Sequence, residues 1–324
     1  MKTSILLIII MFIISCEDYY GKPVPLGDEF EDTWKRINFE GMIYQIEASK
    51  INENEFFIGG ENTIYVLQDS ITRVSPINYQ YQSCRVISSS FHYPQRLLIG
   101  TNVGEIYYCS MDGIIRVIST PSINNIEHLC FSPFDTAKFY LASDNFLLKC
   151  DITGHDYDTI FYGSEKIVDF LIQKSGEIFL TTEHNLYGST IQDSLWDTLF
   201  VSPAQLINGF AIDGKQRFYL SIDSKILKSE NGVDWNEFYS DTIGNFSITG
   251  IEDGLLLVCY ANAFKLNADG KIYDITMGIV YDFPWLSESP TLVAVNGKRY
   301  LISFSDGDEI ESALLSFFDT LLPP

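Results

Sequence analysis

The sequence predicts an all-β fold: a seven-bladed β-propeller of four-stranded antiparallel blades, with the ring closed by an N-terminal strand. Three observations predict it. A short apolar motif recurs seven times along the 324 residues, at steps of 37 to 45 residues and about 41 on average, which is the period of propeller blades. Each copy is flanked by other short apolar runs and by Gly-containing turns, so that four strands fit into each period. No apolar stripe of helical spacing interrupts the series until the very end. Composition agrees, with 46% hydrophobic and 14% aromatic residues, enough apolar material for a large core and a lean towards strands. It excludes a disordered chain, a collagen-like chain and a disulfide-dense one. The formal net charge of −22 argues against a nucleic acid partner, because little here could neutralise phosphates.

The elements follow in chain order. Met1-Lys2-Thr3-Ser4 carries one positive charge, Ile5 to Ile14 is an unbroken apolar run, and Ser15-Cys16 follows. These are the three regions of a secretory signal, and the apolar run is too short for a membrane span, which needs about 20 residues. Ile13-Ile14-Ser15-Cys16 resembles the lipobox of bacterial lipoproteins. That resemblance implies cleavage before Cys16 and lipidation of Cys16, with two or three acyl chains forming a stable anchor. Residues 1–15 are then a lipoprotein signal peptide. Residues 16–32 read as an acidic flexible tether, with six carboxylates against Lys22, Pro23, Pro25 and two glycines. Acid directly after the lipidated cysteine is similar to surface-sorting signals of some lipoproteins, and equally suits simple solvation.

Residues 33–324 read as the propeller domain. The motif appears as Phe56 to Gly60, Leu97 to Thr101, Phe139 to Ser143, Ile178 to Thr182, Phe218 to Ile222, Leu255 to Cys259 and Tyr300 to Phe304. An apolar strand precedes each copy, as in Ile167 to Ile172, and a third follows, as in Ile106 to Tyr108 or Ala263 to Leu266. Turn dipeptides such as Asp112-Gly113, Asn231-Gly232 and Asp269-Gly270 then lead into a more polar fourth strand. The C-terminal unit stops one strand short. Trp34 to Phe39, ahead of the first full unit, has fourth-strand character and is expected to complete it. That pairing would leave only short, protected edges.

Ser229-Glu230-Asn231-Gly232-Val233-Asp234-Trp235 resembles the Asp-box (BNR) repeat of sialidase-like propellers, with Asn231 at or beside the Asp position and one spacer missing. Ser110 to Gly113 and Asn267 to Gly270 look like partial copies without the tryptophan. The resemblance implies a structural turn between third and fourth strands, away from the ligand face. Trp196-Asp197 stands alone, so the WD40 signature does not recur.

Catalytic constellations are not evident. Sialidase chemistry needs an arginine cluster and a tyrosine with an acidic partner. The chain has seven arginines, of which Arg73 and Arg116 fall at matching fourth-strand positions on the outer rim. There is no Gly-x-Ser-x-Gly motif. His92, His128, His155 and His184 show no metal-ligand spacing, and no CxxC is present. Cys84, Cys109, Cys130, Cys150 and Cys259 sit in apolar strand-like runs and read as buried free thiols.

The turns between second and third strands carry an acidic residue in most units: Glu61, Glu105, Asp144, Glu183, Asp223, and Asp306 with Asp308 and Glu309. In propellers these turns share a face with the connections between blades, around the mouth of the central channel. One reading is an acidic ring that attracts a cation, a basic protein patch or an amine. Calcium would suit such oxygen ligands, although no loop spells a complete site. The other is that tight turns favour Asp and Asn in an acid-rich protein. His184, beside Glu183 in one of these turns, belongs to this candidate face, although a histidine there is more often merely solvated. Trp285 reads either as a docking anchor or as a packing residue under a long loop.

The expected function is a lipid-anchored module of the cell envelope, periplasmic or on the cell surface, that binds an envelope protein or a glycan, without catalysis and without a cofactor. The alternative is an enzyme acting on an extracellular glycan or small metabolite at the channel mouth.

Overall fold

A computed structural model of the chain describes residues 34–37, 43–53, 55–60, 63–68, 71–73, 84–110, 112–119, 123, 126–190, 195–240, 246–259, 262–274, 290–296, 299–305 and 312–318. Segments 1–15 and 16–32 with Cys16, and Glu61, Trp285, Asp306, Asp308 and Glu309, lie outside the described residues.

The chain is an all-β propeller of four-stranded antiparallel blades. Six sheets each use four consecutive strands. They are β2 (Ile43–Ala48), β3 (Phe56–Gly60), β4 (Thr63–Leu67) and β5 (Ile71–Arg73); β6 (Cys84–Ser89), β7 (Arg96–Thr101), β8 (Glu105–Ser110) and β9 (Gly113–Ser119); and β10 (His128–Phe131), β11 (Lys138–Ser143), β12 (Phe146–Asp151) and β13 (Tyr157–Tyr162). Then come β14 (Ile167–Ile172), β15 (Glu177–Thr182), β16 (Asn185–Thr190) and β17 (Asp197–Val201); β18 (Ile207–Ile212), β19 (Phe218–Ile222), β20 (Lys225–Ser229) and β21 (Asn236–Ser240); and β22 (Ser247–Ile251), β23 (Gly254–Cys259), β24 (Asn262–Asn267) and β25 (Ile272–Asp274). A further sheet takes β26 (Pro290–Asn296), β27 (Arg299–Ser305) and β28 (Ser312–Phe318), with β1 (Trp34–Ile37) antiparallel to β28 in the register Trp34 to Phe317. The first strands of successive sheets are neighbours: β2 beside β6, β6 beside β10, and so on through β14, β18 and β22 to β26, which also neighbours β2.

Burial explains why one motif stood out in the sequence. It is the second strand of its sheet, and in β3, β7, β11, β15, β19 and β23 it is covered on both faces by the adjoining sheets. In β11, Phe139, Tyr140, Leu141 and Ala142 are essentially inaccessible, whereas β17 and β21 have no buried residue. A strand buried on both sides loses the in–out alternation and reads as a continuous apolar run. Fourth strands face water, and not only with polar residues: β9 exposes Ile114, Ile115 and Val117 beside Arg116. The cores accordingly lie between sheets: Phe57, Ile64 and Val66 pack with Cys84, Leu97 and Ile99 of the next sheet. Each large apolar side chain so buried contributes about 1.5–3 kcal/mol.

One irregularity recurs. Near the start of β2, β6, β14, β18 and β26, the pairing to the second strand slips by one residue, at Ile43/Gln45, Cys84/Val86, Ile167/Asp169, Ile207/Gly209 and Pro290/Leu292. Tyr44, Arg85, Val168, Asn208 and Thr291 are the positions skipped by these shifts, the local break in the ladder that a β-bulge makes.

The turns are tied down by their own side chains. Between first and second strands, the hydroxyls of Ser49, Ser90 and Ser132 accept backbone amides two and three residues on, and the Asp213 carboxylate takes that place before β19. Between β12 and β13, Asp151 Oδ1 accepts the Thr153 hydroxyl at 2.6 Å and the amides of Thr153 and His155. The Thr153 hydroxyl above all, with those amides, holds the Asp151 carboxyl down to about 2, against the opposing effect of desolvation. A depressed carboxylate contributes stability that is complete above its unfolded pKa of about 3.9 and is lost as pH falls through its folded value. The melting-temperature gap between wild type and Asp151→Ala should therefore be present at pH 6 and shrink between pH 4 and pH 2. An equal gap at pH 6 and pH 2 counts against this account.

In the 229–235 turn, Asn231 Oδ1 accepts the amides of Val233 and Asp234 at 2.9 Å, Ser229 Oγ accepts that of Gly232 at 2.9 Å, and Trp235 donates its indole N–H to the Gly232 carbonyl. The indole packs edge-on against Phe200 of the preceding sheet. Cys84, Cys109 and Cys150 are buried free thiols as expected, whereas Cys130, on the first strand β10, is half-buried. Burial pushes the thiols of Cys109, Cys130 and Cys150 up to about 12 and that of Cys84 higher still, so none is a thiolate at neutral pH.

Candidate functional site at the channel mouth

The turns between second and third strands are hydrogen-bonded to the connections that lead into the next sheet. The amide of Ile167 donates to the Asp144 carbonyl at 2.6 Å, that of Ile207 to Glu183 at 2.8 Å, and that of Ser202 to His184 at 2.7 Å. The Asp223 amide donates to the Leu206 carbonyl at 3.3 Å. These four residues, and the starts of the first strands, therefore share one face.

Each of the described candidates has a local reason for its position. Asp144 and Asp223 both have φ near +47°, a left-handed conformation that Asp tolerates far better than most residues. Glu105 opens β8, and its carboxylate accepts the Tyr107 hydroxyl at 2.5 Å. His184 is not simply solvated as expected. Its Nδ1 lies 3.3 Å from Glu165 Oε1, with both side chains about two-thirds covered. Glu165 also caps the turn, accepting the Thr182 hydroxyl at 2.6 Å, the Asn185 amide at 3.0 Å and the His184 N–H at 3.2 Å. Burial opposes its charge, but these donors together keep the Glu165 carboxyl below the usual range.

A cavity of about 380 Å³ opens on this face, between the starts of β6, β10 and β14. Its apolar wall is Ile126, Ile167 and Val168, and its charged groups are Arg85, Glu127, His128, Lys166 and Glu183. Lys166 Nζ lies 2.8 Å from Glu127 Oε1, and the pair is unequal: Lys166 is 54% exposed and Glu127 16%. Its hydrogen bond to Glu127 is the main reason the Lys166 pKa is raised, with the charges of Asp144 and Glu183 adding to it. Asp144 and Glu183 are thus brought together about one lysine; Glu105 and Asp223 are not part of this cluster. Deeper along the first strands, His128 Nδ1 faces Asp169 Oδ1 at 3.6 Å, and burial raises the Asp169 carboxyl against the pull of His128. Among the described residues, no group of three or more His, Cys, Asp or Glu is arranged to hold a metal ion.

Sequence reasoning missed Arg85, Glu127, Glu165, Lys166 and Asp169. The available signal was positional: Arg85 and Glu127 interrupt apolar first-strand runs one blade period apart.

No family model matches this chain, and no curated protein matches it. Solved structures do. YCF48 bound to D1 peptide superposes with a TM-score of 0.67 at 10% identity, over 89% of this chain and 97% of that one. The β-propeller domain of Cps50 (Swd1) from Myceliophteria thermophila gives 0.65 at 8% identity, over 87% and 98%. PorZ, a bacterial surface component of the type-IX secretion system of Porphyromonas gingivalis, gives 0.59 at 14% identity, over 86% of this chain but 39% of that one. At these identities the likeness is one of fold.

Proposed function

We propose that this chain is a lipid-anchored, seven-bladed propeller of the cell envelope that binds a protein partner on its channel-mouth face, as a non-catalytic assembly module. The observation that carries this reading is the mouth itself: a cavity of about 380 Å³ with a short apolar wall and charges of both signs, rimmed by turns fixed to the neighbouring sheets. A rigid rim loses little conformational entropy on binding. YCF48 with its D1 peptide is a precedent for a propeller of this shape holding a protein segment, and PorZ for one at a bacterial surface. The anchor rests on the signal-like run and on Ile13-Ile14-Ser15-Cys16. The seven-blade count and N-terminal closure are supported by the pairing of β1 with β28 and by the neighbouring first strands. The hydrogen bonding of the 229–235 turn supports a degenerate Asp-box with a structural role.

The test is crosslinking and capture from intact cells with three forms: wild type, Cys16→Ser, and a triple variant Glu61→Gln, Glu183→Gln, Asp223→Asn. The Cys16→Ser form is expected in the soluble fraction; unchanged membrane retention refutes the anchor. Wild type is expected to capture a reproducible envelope protein and the triple variant to change its yield; an unchanged yield places the contact away from the acidic turns. Absence of any partner refutes the binding module and makes a glycan screen the next step.

A further inference from the structure

Three of the groups around the cavity sit at one repeated position. Arg85 and Val168 are bulge residues of β6 and β14. Glu127 stands at the equivalent place before β10: it follows the buried Ile126, as Val168 follows the buried Ile167, and its amide donates to the Ala142 carbonyl opposite His128. A bulge frees one residue per first strand from the ladder and re-aims its side chain. Three neighbouring sheets thus each present one side chain to the same opening.

Charges of both signs reach the opening: Glu183 lines it and Asp144 acts on Lys166, with two cations set among them. Glu127 is largely covered and committed to Lys166, whose ammonium remains about half exposed. Arg85 is exposed and has no ion pair among the described residues. Arg217, by contrast, is clamped between two aspartates, and Arg96 lies over the Tyr108 ring. A guanidinium left open on the rim of a cavity, beside a half-exposed lysine and a small apolar wall, is built for a planar anion carried on an apolar chain. Its fork matches a carboxylate with two parallel hydrogen bonds.

We propose that the mouth recognises a carboxylate of an extended protein segment, held by Arg85 with Lys166 beside it, while Val168, backed by the buried Ile126 and Ile167, receives the apolar residue next to it. This rests on the binding-module reading above and names the chemistry of its site. The carboxylate can belong to a chain terminus or to an acidic side chain, and the test separates the two.

The probes are decapeptides of mixed Ala, Ser, Leu and Tyr sequence, labelled at the N-terminus with an uncharged boron-dipyrromethene dye, in three matched forms: C-terminal acid, C-terminal amide, and amide with one internal Asp. They are titrated by fluorescence anisotropy against full-length wild type, Arg85→Gln, Arg85→Lys and, as a control, Arg116→Gln on the exposed outer strand β9. Carboxylate-bearing peptides are expected to bind better than the plain amide, and the better of the two forms names the source. Arg85→Gln should weaken that binding on the order of 10- to 100-fold, the worth of a charge-assisted pair. Arg85→Lys should fall between, and Arg116→Gln should leave it unchanged. Equal binding of acid and amide forms, indifference to Arg85→Gln, or no binding of any form at 1 mM overturns the proposal. A partner captured from cells equally well by wild type and Arg85→Gln overturns it too, and leaves the binding module standing.

Discussion

Replacing Arg217 with alanine is expected to cost the fold about 3–5 kcal/mol, the usual penalty for removing one member of a buried ion pair. Arg217 joins the first turns of two sheets. Its Nε donates to Asp213 Oδ2 at 2.7 Å, and its second nitrogen bridges Asp213 and Asp253. The Asp213 side chain is fully buried and that of Arg217 is only 13% exposed. Burial disfavours the guanidinium charge, yet the hydrogen bonds to Asp253 and Asp213 raise its pKa above the ordinary value. Without Arg217, Asp213 keeps only the Tyr219 hydroxyl and the amides of Lys215 and Arg217 itself. Asp253→Asn should cost far less, about 1 kcal/mol or below, because Asp253 is 41% exposed and such pairs are screened. Denaturant midpoints of the two variants check both figures. Similar losses for both would mean that the cluster acts as a solvated network and not as a buried clamp.

Gly250→Ala should be comparably damaging for a different reason. A Cβ at Gly250 would lie 2.1 Å from the Ile212 carbonyl oxygen and 2.8 Å from its carbon. Those are backbone atoms of the neighbouring sheet, so no side chain can swing aside. Gly214 also approaches backbone, a Cβ there falling 2.9 Å from Glu252 Cα, and donates its amide to the Ile251 carbonyl at 2.9 Å. Ordinary overpacking costs about 1–3 kcal/mol; forcing two β-sheets apart should reach the upper end of that range or pass it. The measurement is again the unfolding free energy, with Gly209→Ala as the comparison, since its nearest neighbour would be a side-chain atom of Ile248 at 3.4 Å. A Gly250→Ala loss no larger than that of Gly209→Ala would contradict the close approach.

The parts of this structure that the sequence revealed are those whose environment leaves a periodic trace. Second strands are covered on both faces, so Phe139 to Ala142 and their counterparts read as continuous apolar runs at blade spacing. Asp144 and Asp223 were found because a left-handed turn position selects Asp. First strands were harder to read. They line a channel, and a channel accepts apolar, polar and charged side chains alike, so Arg85, Glu127 and Val168 share a place without sharing a residue type. Glu165 and Lys166 lie in a connection with no pattern of its own, and their partners, His184 and Glu127, come from elsewhere in the chain. The Asp213–Arg217 pair was within reach, four residues apart around a turn, but Asp253 joins it only through the packing of two sheets.

The first-strand bulges have a consequence for how such a protein can be altered. A residue set outside the ladder contributes no cross-strand pairing, so its side chain can be exchanged without changing the register on either side. Positions 85 and 168 are therefore two dials on an otherwise fixed frame. Recoding them in combination is a route to propellers of unchanged architecture and new selectivity.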